Sequence, residues 1–171
     1  SEIFKLFKCN KRILLFLIQN GYLQIDESII EKLKSKKYVE NGYFQYFYPE
    51  LKPFIKENDP IQKVEISDYF EKDRELGENE IQLCCLIRND SIEDFIIYIN
   101  KYDIPLSFSI KPSIFETNSF LLENNNNTTL IKYAAFFGSI RIFEYLLQKN
   151  VEIDDSIWLY AIHGRNAEIL N

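Results

Sequence analysis

The 171-residue sequence has no methionine, one histidine and one tryptophan, and only three cysteines, five glycines and five prolines. Three cysteines, two of them adjacent, cannot build the disulfide framework of a small secreted domain. A single histidine leaves no second imidazole for a metal site and no spaced nucleophile–base pair. Five dispersed glycines form no phosphate-binding loop. The sequence therefore predicts neither a metal site nor a cofactor.

Long apolar runs are also missing, so no segment is predicted to cross a membrane. The run nearest the start, Ile13 to Ile18, is too short for a span, and no signal-peptidase cleavage site follows it. Cys84 and Cys85 lie in an apolar stretch, which favours two small buried side chains on a helix in a reducing compartment. We accordingly expect an intracellular, cytoplasmic protein with no membrane partner.

Five residue types are abundant instead: Phe, Tyr, Ile, Asn and Lys together supply 80 residues. Their codons are rich in A and T, so part of this bias reflects the genome. The formal net charge is −6, which disfavours a nucleic-acid binder that acts mainly by electrostatics. Residues 1–75 carry 13 acidic and 13 basic residues, whereas residues 76–171 carry 13 acidic and 7 basic ones. The whole net charge lies in the second half, which suggests a basic partner there.

Apolar residues recur at helical spacing along most of the chain and strand patterns are almost absent, so the predicted class is all-α. Asn10 to Gly21 is predicted to form one apolar helix, and Pro49 and Pro53 are expected to break the aromatic stretch from Tyr43 to Phe54. Capping-box spacing, in one case with Asp in place of Glu, predicts three helix starts, at Ser28, Ser91 and Ser113. Polar composition predicts loops at Lys56–Lys63 and Asn124–Asn127.

The second half of the chain repeats itself. Residues 139–147 align without a gap with residues 91–99, and a third partial copy begins at Ala161. Each copy contains a short helix, a tight turn, a second apolar helix and a loop. The copies are 48 residues apart from Leu86 to Ala134, and 27 residues apart from Ala134 to Ala161. We therefore divide the chain into an irregular N-terminal helical region, residues 1–75, and repeats over residues 76–171, in one continuous stack.

The segment Thr129–Gly138, TLIKYAAFFG, resembles the ankyrin signature T-P-L-H-x-A-A-x-x-G, and Ser139–Asp154 follows the rest of that repeat. Leu130, Lys132 and Asn150 depart from the family's Pro, His and Gly. The 27-residue spacing is also shorter than the ankyrin period of about 33 residues, so we expect a short loop in place of the projecting β-hairpin. The chain resembles divergent ankyrin-repeat proteins that form expanded sets in some single-celled parasites and carry a leading domain of unknown function.

This resemblance implies an all-α helical-hairpin solenoid with irregular N-terminal helical repeats. It also implies a non-enzymatic protein–protein interaction scaffold that presents a concave surface to a protein partner. In the family, certain positions of the first helix and its turn face this concave surface. In this chain those positions are occupied by Tyr133, Phe136, Phe137, Tyr160 and His163. Exposed aromatic residues would suit an interface. The alternative is that some of these rings, Phe137 before Phe136, pack against the adjacent repeat.

Two other functions stay open. The lysines of the Lys32–Lys37 cluster could contact the phosphates of a nucleic acid, although cations near a helix C-terminus stabilise the helix in any case. An enzyme with an unrecognised site would need a deep pocket that combines carboxylates or tyrosines with His163.

The end of the chain suggests a further expectation. Residues 167–171 begin what should be the second helix of a repeat, so Ile169 and Leu170 lack a neighbouring helix. We therefore expect either a longer array of repeats or self-association through this end.

Overall fold

The computed structural model describes residues 2–55, 67–111, 113–124 and 128–170 of the chain. Over these ranges the secondary structure consists of α-helices and one short 3-10 helix, with no strand beyond an isolated bridge between Ser109 and Thr129. The predicted all-α class is therefore confirmed. The predicted loop at Lys56–Lys63 and most of the predicted turn at Asn124–Asn127 lie outside the described residues.

The chain folds as two compact units that are not contiguous in sequence. Unit 1 contains Ser1–Asn79 and Pro112–Leu122, and unit 2 contains Glu80–Lys111 and Glu123–Asn171. The predicted division between residues 75 and 76 lies close to the first structural boundary, but it assigns the returning segment 112–122 to the repeats. That segment belongs to unit 1 because of long-range contacts, such as the edge-to-face packing of Phe115 on Phe70, with ring centroids 5.3 Å apart.

The helices follow the chain in four groups. In the described part of residues 1–79 they are α1 (Glu2–Phe7), α2 (Lys11–Gln19), α3 (Glu27–Leu33), α4 (Lys36–Glu40), α5 (Tyr43–Tyr46), α6 (Tyr48–Leu51) and α7 (Phe70–Leu76), with a 3-10 helix at Lys52–Phe54. Residues 80–111 form α8 (Gln82–Arg88) and α9 (Ile92–Lys101). The returning segment leads into α10 (Ser119–Glu123). The last group is α11 (Leu130–Phe137), α12 (Ile140–Gln148), α13 (Ile157–Gly164) and α14 (Ala167–Leu170).

Helix α2 shows how the local sequence sets the ends of a helix. The Asn10 side chain caps its N-terminus by accepting a hydrogen bond from the Ile13 amide at 2.9 Å. Just past the other end, Gly21 adopts a φ of +73°, a left-handed conformation that glycine reaches without a Cβ penalty. The predicted helix between Asn10 and Gly21 is therefore confirmed, and Leu14 is buried on its inner side.

The three serines predicted to begin helices behave differently in the structure. Helix α9 does begin directly after Ser91, although the Ser91 side chain makes no capping hydrogen bond. Helix α3 begins earlier than predicted, because Asp26 rather than Ser28 accepts the capping hydrogen bond, at 2.8 Å. No helix begins at Ser113, whose hydroxyl accepts from the Phe115 amide at 3.0 Å. Ser and Asp side chains can accept hydrogen bonds from nearby amides in turns as well as at helix starts. Capping-box spacing alone therefore did not locate every helix start correctly.

The core of unit 1 is aromatic and forms where prolines interrupt the helices. Pro49 lies in the first turn of α6 and Pro53 in the first turn of the 3-10 helix, where a missing amide breaks no hydrogen bond. The predicted interruption of this stretch is confirmed. The successive short helices bury a cluster of large side chains: Tyr43, Phe44, Tyr46, Phe47 and Leu51.

Two cations are buried in the described part of unit 1, and each has partners. The Lys11 ammonium donates to the Ile114 carbonyl at 2.8 Å and lies within 5.5 Å of two tyrosine ring centroids. The Arg74 guanidinium binds both oxygens of the Glu50 carboxylate and donates to the Tyr46 carbonyl at 3.2 Å. Each cation joins segments that are far apart in sequence, and removing one partner of a buried pair costs about 3–5 kcal/mol.

A buried carboxyl group, Glu116, lies in the returning segment. Its Oε1 accepts from the Asn118 amide at 2.7 Å, and the adjacent Thr117 hydroxyl donates to the Gly77 carbonyl at 2.8 Å. Burial raises the pKa of Glu116 to about 6, and the hydrogen bond from Asn118 and the Lys11 ammonium oppose only part of that rise. The folded state therefore favours a protonated Glu116 more than the unfolded state does.

The described part of unit 2 contains three helical hairpins with one link geometry. The pairs are α8 with α9, α11 with α12, and α13 with α14. A residue of left-handed conformation lies in each link: Asp90 at a φ of +49°, Gly138 at +69° and Arg165 at +60°. The first helices begin 48 and then 27 residues apart, as the repeat alignment predicts. Helix α11 packs against both α8 and α13, and α12 packs against α9.

Polar side chains in the links bind a neighbouring hairpin. The Ser139 hydroxyl donates to the Ile87 carbonyl near the end of α8. Asn166, at the equivalent position of the next link, donates to the Ala135 carbonyl near the end of α11 at 3.1 Å. The Asp90 carboxylate accepts from the first amides of α12 at 3.0 Å. These contacts satisfy helix-terminal groups that have no partner within their own helix.

Helices α11 and α13 approach each other closely because small residues lie at their contact. A Cβ on Gly164 would overlap the carbonyl oxygen of Phe136, so this position requires glycine even though the left-handed residue of that link is Arg165. Three small side chains of these helices are fully buried: Ala134 and Ala135 of α11 and Ala161 of α13.

The connection between α12 and α13, residues 149–156, contains no strand. Asn150 takes a φ of +57° at the position where the ankyrin family has Gly, a conformation that asparagine tolerates. The Asp154 carboxylate accepts from the Ser156 amide at 2.9 Å and stabilises the turn before α13. The predicted short loop between these helices is confirmed.

Replacing Glu116 with Gln is expected to remove a pH dependence of stability. Burial raises the pKa of Glu116 from 4.5 to about 6 in the folded state, so the folded protein is most stable while this carboxyl is protonated. The free energy of unfolding therefore falls as the pH rises from below 4.5 through 6. The loss amounts to roughly 2 kcal/mol, because one pKa unit corresponds to about 1.4 kcal/mol. Urea unfolding of the wild type and Glu116→Gln across this pH range measures it.

The matched control is Glu75→Gln, which removes a carboxylate from an exposed position of the same unit. The difference in stability between Glu116→Gln and the wild type should grow as the pH rises, whereas Glu75→Gln should follow the wild type. Parallel curves for Glu116→Gln and the wild type would contradict the role given to this buried carboxyl group.

Gly164→Ala is expected to destabilise unit 2 by about 3 kcal/mol or more, because the new Cβ meets a backbone carbonyl that cannot rotate away. Urea unfolding followed by circular dichroism and by the fluorescence of Trp158 measures this loss. Gly21→Ala is the control, since a Cβ there meets no atom within 4 Å and adds only a left-handed backbone penalty of about 1–2 kcal/mol. Equal losses would show that close helix approach is not the reason for Gly164.

Candidate functional site

Three of the five predicted partner-binding residues are buried rather than exposed. Tyr133 and Tyr160 are each 2% exposed, and Phe136 is 8% exposed. The Tyr133 hydroxyl accepts a hydrogen bond from Arg88 of α8 at 3.0 Å. The Tyr160 hydroxyl lies 3.1 Å from Thr128 Oγ1, just before α11. The expectation that these rings form an exposed surface is wrong, because they fill the space between neighbouring first helices.

The other two predicted residues, Phe137 and His163, do not complete a surface. The half-buried Phe137 ring lies 4.6 Å from the ring of Tyr133 and 5.8 Å from the Arg88 guanidinium. His163 is exposed near the end of α13. The structure brings the three aromatic residues of α11 together and leaves His163 on another helix. Phe136 is therefore more deeply buried than Phe137, whereas the order expected from the sequence was the reverse.

The surface that sequence reasoning missed is the outer face of α13, called here the α13 face and formed by Trp158, Leu159 and Ile162. These side chains are 50%, 52% and 57% exposed. The equivalent residues of α11, 27 positions earlier, are buried between its neighbouring helices. These residues are at most 7% exposed: Ile131, Lys132 and Ala135. The difference arises because α11 packs between two other first helices, α8 and α13. Among the described residues, α13 packs against only one first helix, α11.

A signal for this face was present in the sequence. Residues 157–162, IWLYAI, place apolar side chains on every side of the helix. A helix that is apolar all round is typical of one that is covered on both sides. The resemblance to the ankyrin repeat instead predicted binding at the positions that face the concave surface in that family.

An apolar groove of about 510 Å³ opens beside the α13 face, and Trp158 belongs to both. We call it the terminal groove. Its lining comes from α12, the loop after α12, α13 and α14. The apolar lining residues are Ile140, Phe143, Leu147, Ile153, Ile157, Trp158 and Ile169. Ile153 and Leu147 are themselves 46% and 37% exposed, so the groove is open to solvent.

Every charged residue that lines the terminal groove is acidic: Glu144, Asp154, Asp155 and Glu168. Asp154 is compensated, because the Lys132 ammonium lies 2.7 Å from its Oδ2. Hydrogen bonds from Lys132 and Ser156 lower the pKa of Asp154 to about 2. The other three carboxylates form no ion pair with a residue of the described ranges. The groove therefore combines an apolar floor with uncompensated negative charge.

The Lys32–Lys37 cluster is divided between α3, its C-terminal cap and α4. The Lys36 ammonium lies 3.7 Å from Glu40 Oε1, and the Lys32 ammonium lies 5.7 Å from the centroid of the Phe4 ring. Part of the positive charge is therefore used in local contacts. The nucleic-acid alternative stays a prediction and gains no support from this arrangement.

The described ranges contain no cluster of metal-ligating side chains. No three His, Cys, Asp or Glu side chains in those ranges are grouped so that they could hold a metal ion. His163 is not among the residues that line the terminal groove. On α8, Cys84 is buried as the apolar stretch predicts, whereas Cys85 is only half-buried. None of the described helices is long and apolar enough to cross a membrane.

The candidate functional site is thus the α13 face together with the terminal groove, an apolar surface with an acidic rim at one end of unit 2. Comparison with known proteins adds no relative from which a function could be transferred: no family model matches the chain, and neither a curated protein nor a solved structure is significantly similar to it.

Proposed function

We propose that the protein is a non-enzymatic protein–protein interaction scaffold, and that unit 2 is a short ankyrin-like solenoid that carries the binding surface. An array of this kind acts by presenting a rigid surface, since each hairpin contacts only its neighbours. The observation that carries the proposal is the exposed α13 face, because large apolar side chains that are exposed side by side mark interaction sites.

Three features support the ankyrin-like part of the proposal. The segment with the ankyrin signature, Thr129–Gly138, forms a first helix and its left-handed link. The same link geometry recurs in each hairpin, and first helices pack on first helices while α9 packs on α12. The loop over residues 149–156 accounts for the missing β-hairpin. In this proposal the short helices of unit 1 are the irregular leading region.

The α13 face can supply a useful share of a binding free energy. Full burial of a large apolar side chain contributes about 1.5–3 kcal/mol, so three half-exposed side chains offer roughly 3 kcal/mol when covered. The terminal groove adds apolar surface directly beside them. We therefore assign partner binding to this end of the array and not to Tyr133, Phe136 and Tyr160, which are buried.

Replacing Ile162 with Glu is expected to weaken partner binding at least tenfold and leave unit 2 folded. The side chain is 57% exposed, so the carboxylate can stay hydrated in the free protein but would be buried unpaired by a partner. A displayed library of peptides with an apolar helical stripe and random residues elsewhere supplies the ligands. Peptides selected on the wild-type chain should bind Ile162→Glu at least tenfold more weakly, as measured by titration calorimetry.

The matched control is Ile97→Glu, because Ile97 is 63% exposed on α9 of another hairpin in the same unit. This variant should bind the selected peptides as the wild type does. Circular dichroism and thermal unfolding establish that both variants are folded. If the library yields no peptide whose binding depends on Ile162, the α13 face is not a binding surface and the proposed function is rejected.

A further inference from the structure

We infer that the segment bound in the terminal groove is an amphipathic helix of a partner protein, with an apolar stripe flanked by Lys and Arg side chains. This inference rests on the proposed function and names the chemistry of the partner. Two observations carry it: the groove is walled mainly by helices, and its charged residues all have one sign.

The walls of the groove favour a helix over an extended strand. Side chains of α12, α13 and α14 line it, and the side-chain ridges of one helix fit the grooves of another. A peptide that binds by adding a strand would need a free strand edge, and none borders the groove among the described residues. Helix α12 has nine residues, about 14 Å at 1.5 Å per residue. A partner helix of about three turns therefore spans the groove.

The charge of the groove selects the polar residues of that helix. Glu144 and Glu168 come from α12 and α14, and Asp155 comes from the loop before α13. Their carboxylates attract Lys and Arg side chains at the rim of an apolar contact, with an energy that falls as salt is added. An arginine can also stack on the half-exposed Trp158 ring. A helix with acidic flanks would meet only like charge.

The same charges disfavour a second copy of this chain as the occupant. In a two-fold dimer formed through the groove, Glu144, Asp155 and Glu168 of one copy would face the same residues of the other. Like charges placed together across an interface oppose association. Phosphate groups of a nucleic acid or of an anionic membrane surface would be repelled for the same reason. A basic helix is the occupant that both the shape and the charge of the groove fit.

The peptides selected on the wild-type chain test this inference first by their sequences. The random positions beside the apolar stripe should be enriched in Lys and Arg and depleted in Asp and Glu. Trp158 is the only tryptophan of the chain, so its fluorescence reports occupation of the groove when a tryptophan-free selected peptide is added to the full chain. Raising NaCl from about 50 to about 300 mM should weaken binding roughly tenfold, because salt screens rim charges.

Charge variants of the protein provide the second test. Glu144→Gln combined with Glu168→Gln should weaken binding of a selected peptide at least fivefold and reduce its salt dependence. The matched control is Glu152→Gln, an exposed carboxylate in the same region that does not line the groove, and it should leave the affinity unchanged. A synthetic version of the peptide with Glu in place of its Lys and Arg residues should bind more than tenfold more weakly.

Three results would overturn the inference and leave the proposed function intact. Selected peptides could depend on Ile162 yet carry neutral or acidic flanks. Binding could be unaffected by the Glu144 and Glu168 substitutions, so that rim charge does not define the partner. Light scattering could show a dimer that the peptides dissociate, which would make a second copy the occupant. The absence of any Ile162-dependent peptide would instead reject the proposed function itself.

Discussion

The close contact between α11 and α13 is the constraint on which the hairpins of unit 2 depend. At Gly164 the backbone of α13 comes so near the Phe136 carbonyl that only a residue without a Cβ fits. Ala135 and Ala161 are fully buried and add little bulk. Because the backbones are this close, the side chain of Asn166 can reach the Ala135 carbonyl and satisfy the end of the preceding helix. Helix packing and link chemistry are therefore set by the same small residues.

This contact also determines which apolar side chains are available to a partner. Tyr133 and Tyr160 occupy helix positions that face neighbouring hairpins, so their rings are buried and their hydroxyls are hydrogen-bonded. Helix α13 buries one side in the same way, whereas its other side carries Trp158, Leu159 and Ile162 in the open. A helix with a neighbouring first helix on one side only must expose an apolar face if its sequence is apolar all round. The candidate binding surface is a direct consequence of that geometry.

Unit 1 is stabilised differently, because its helices are short and an isolated short helix is marginal in water. Long-range polar contacts hold its segments together beside the aromatic core. Lys11 binds the Ile114 carbonyl in the returning segment, and Arg74 joins Glu50 to the Tyr46 carbonyl. Each of these cations is buried, so each contact is strong only while its partners stay in place.

The sequence by itself determined the all-α class, the ends of α2 and the proline breaks, since each depends on residues that are close together in the chain. It also determined the 48- and 27-residue spacing of the first helices, because the repeat copies can be aligned directly. It also located the excess of acidic residues in the half that contains the terminal groove. For the binding surface, the sequence pointed to α11 and α13 but to side chains that the structure buries. A local sequence pattern does not reveal which helices become neighbours. The burial of Tyr133 and Tyr160, the exposure of Trp158 and the return of residues 112–122 to unit 1 were decided by tertiary structure alone. Each of these outcomes depends on contacts between segments far apart in sequence, and the free energy of those contacts is set by the packed neighbours rather than by adjacent residues.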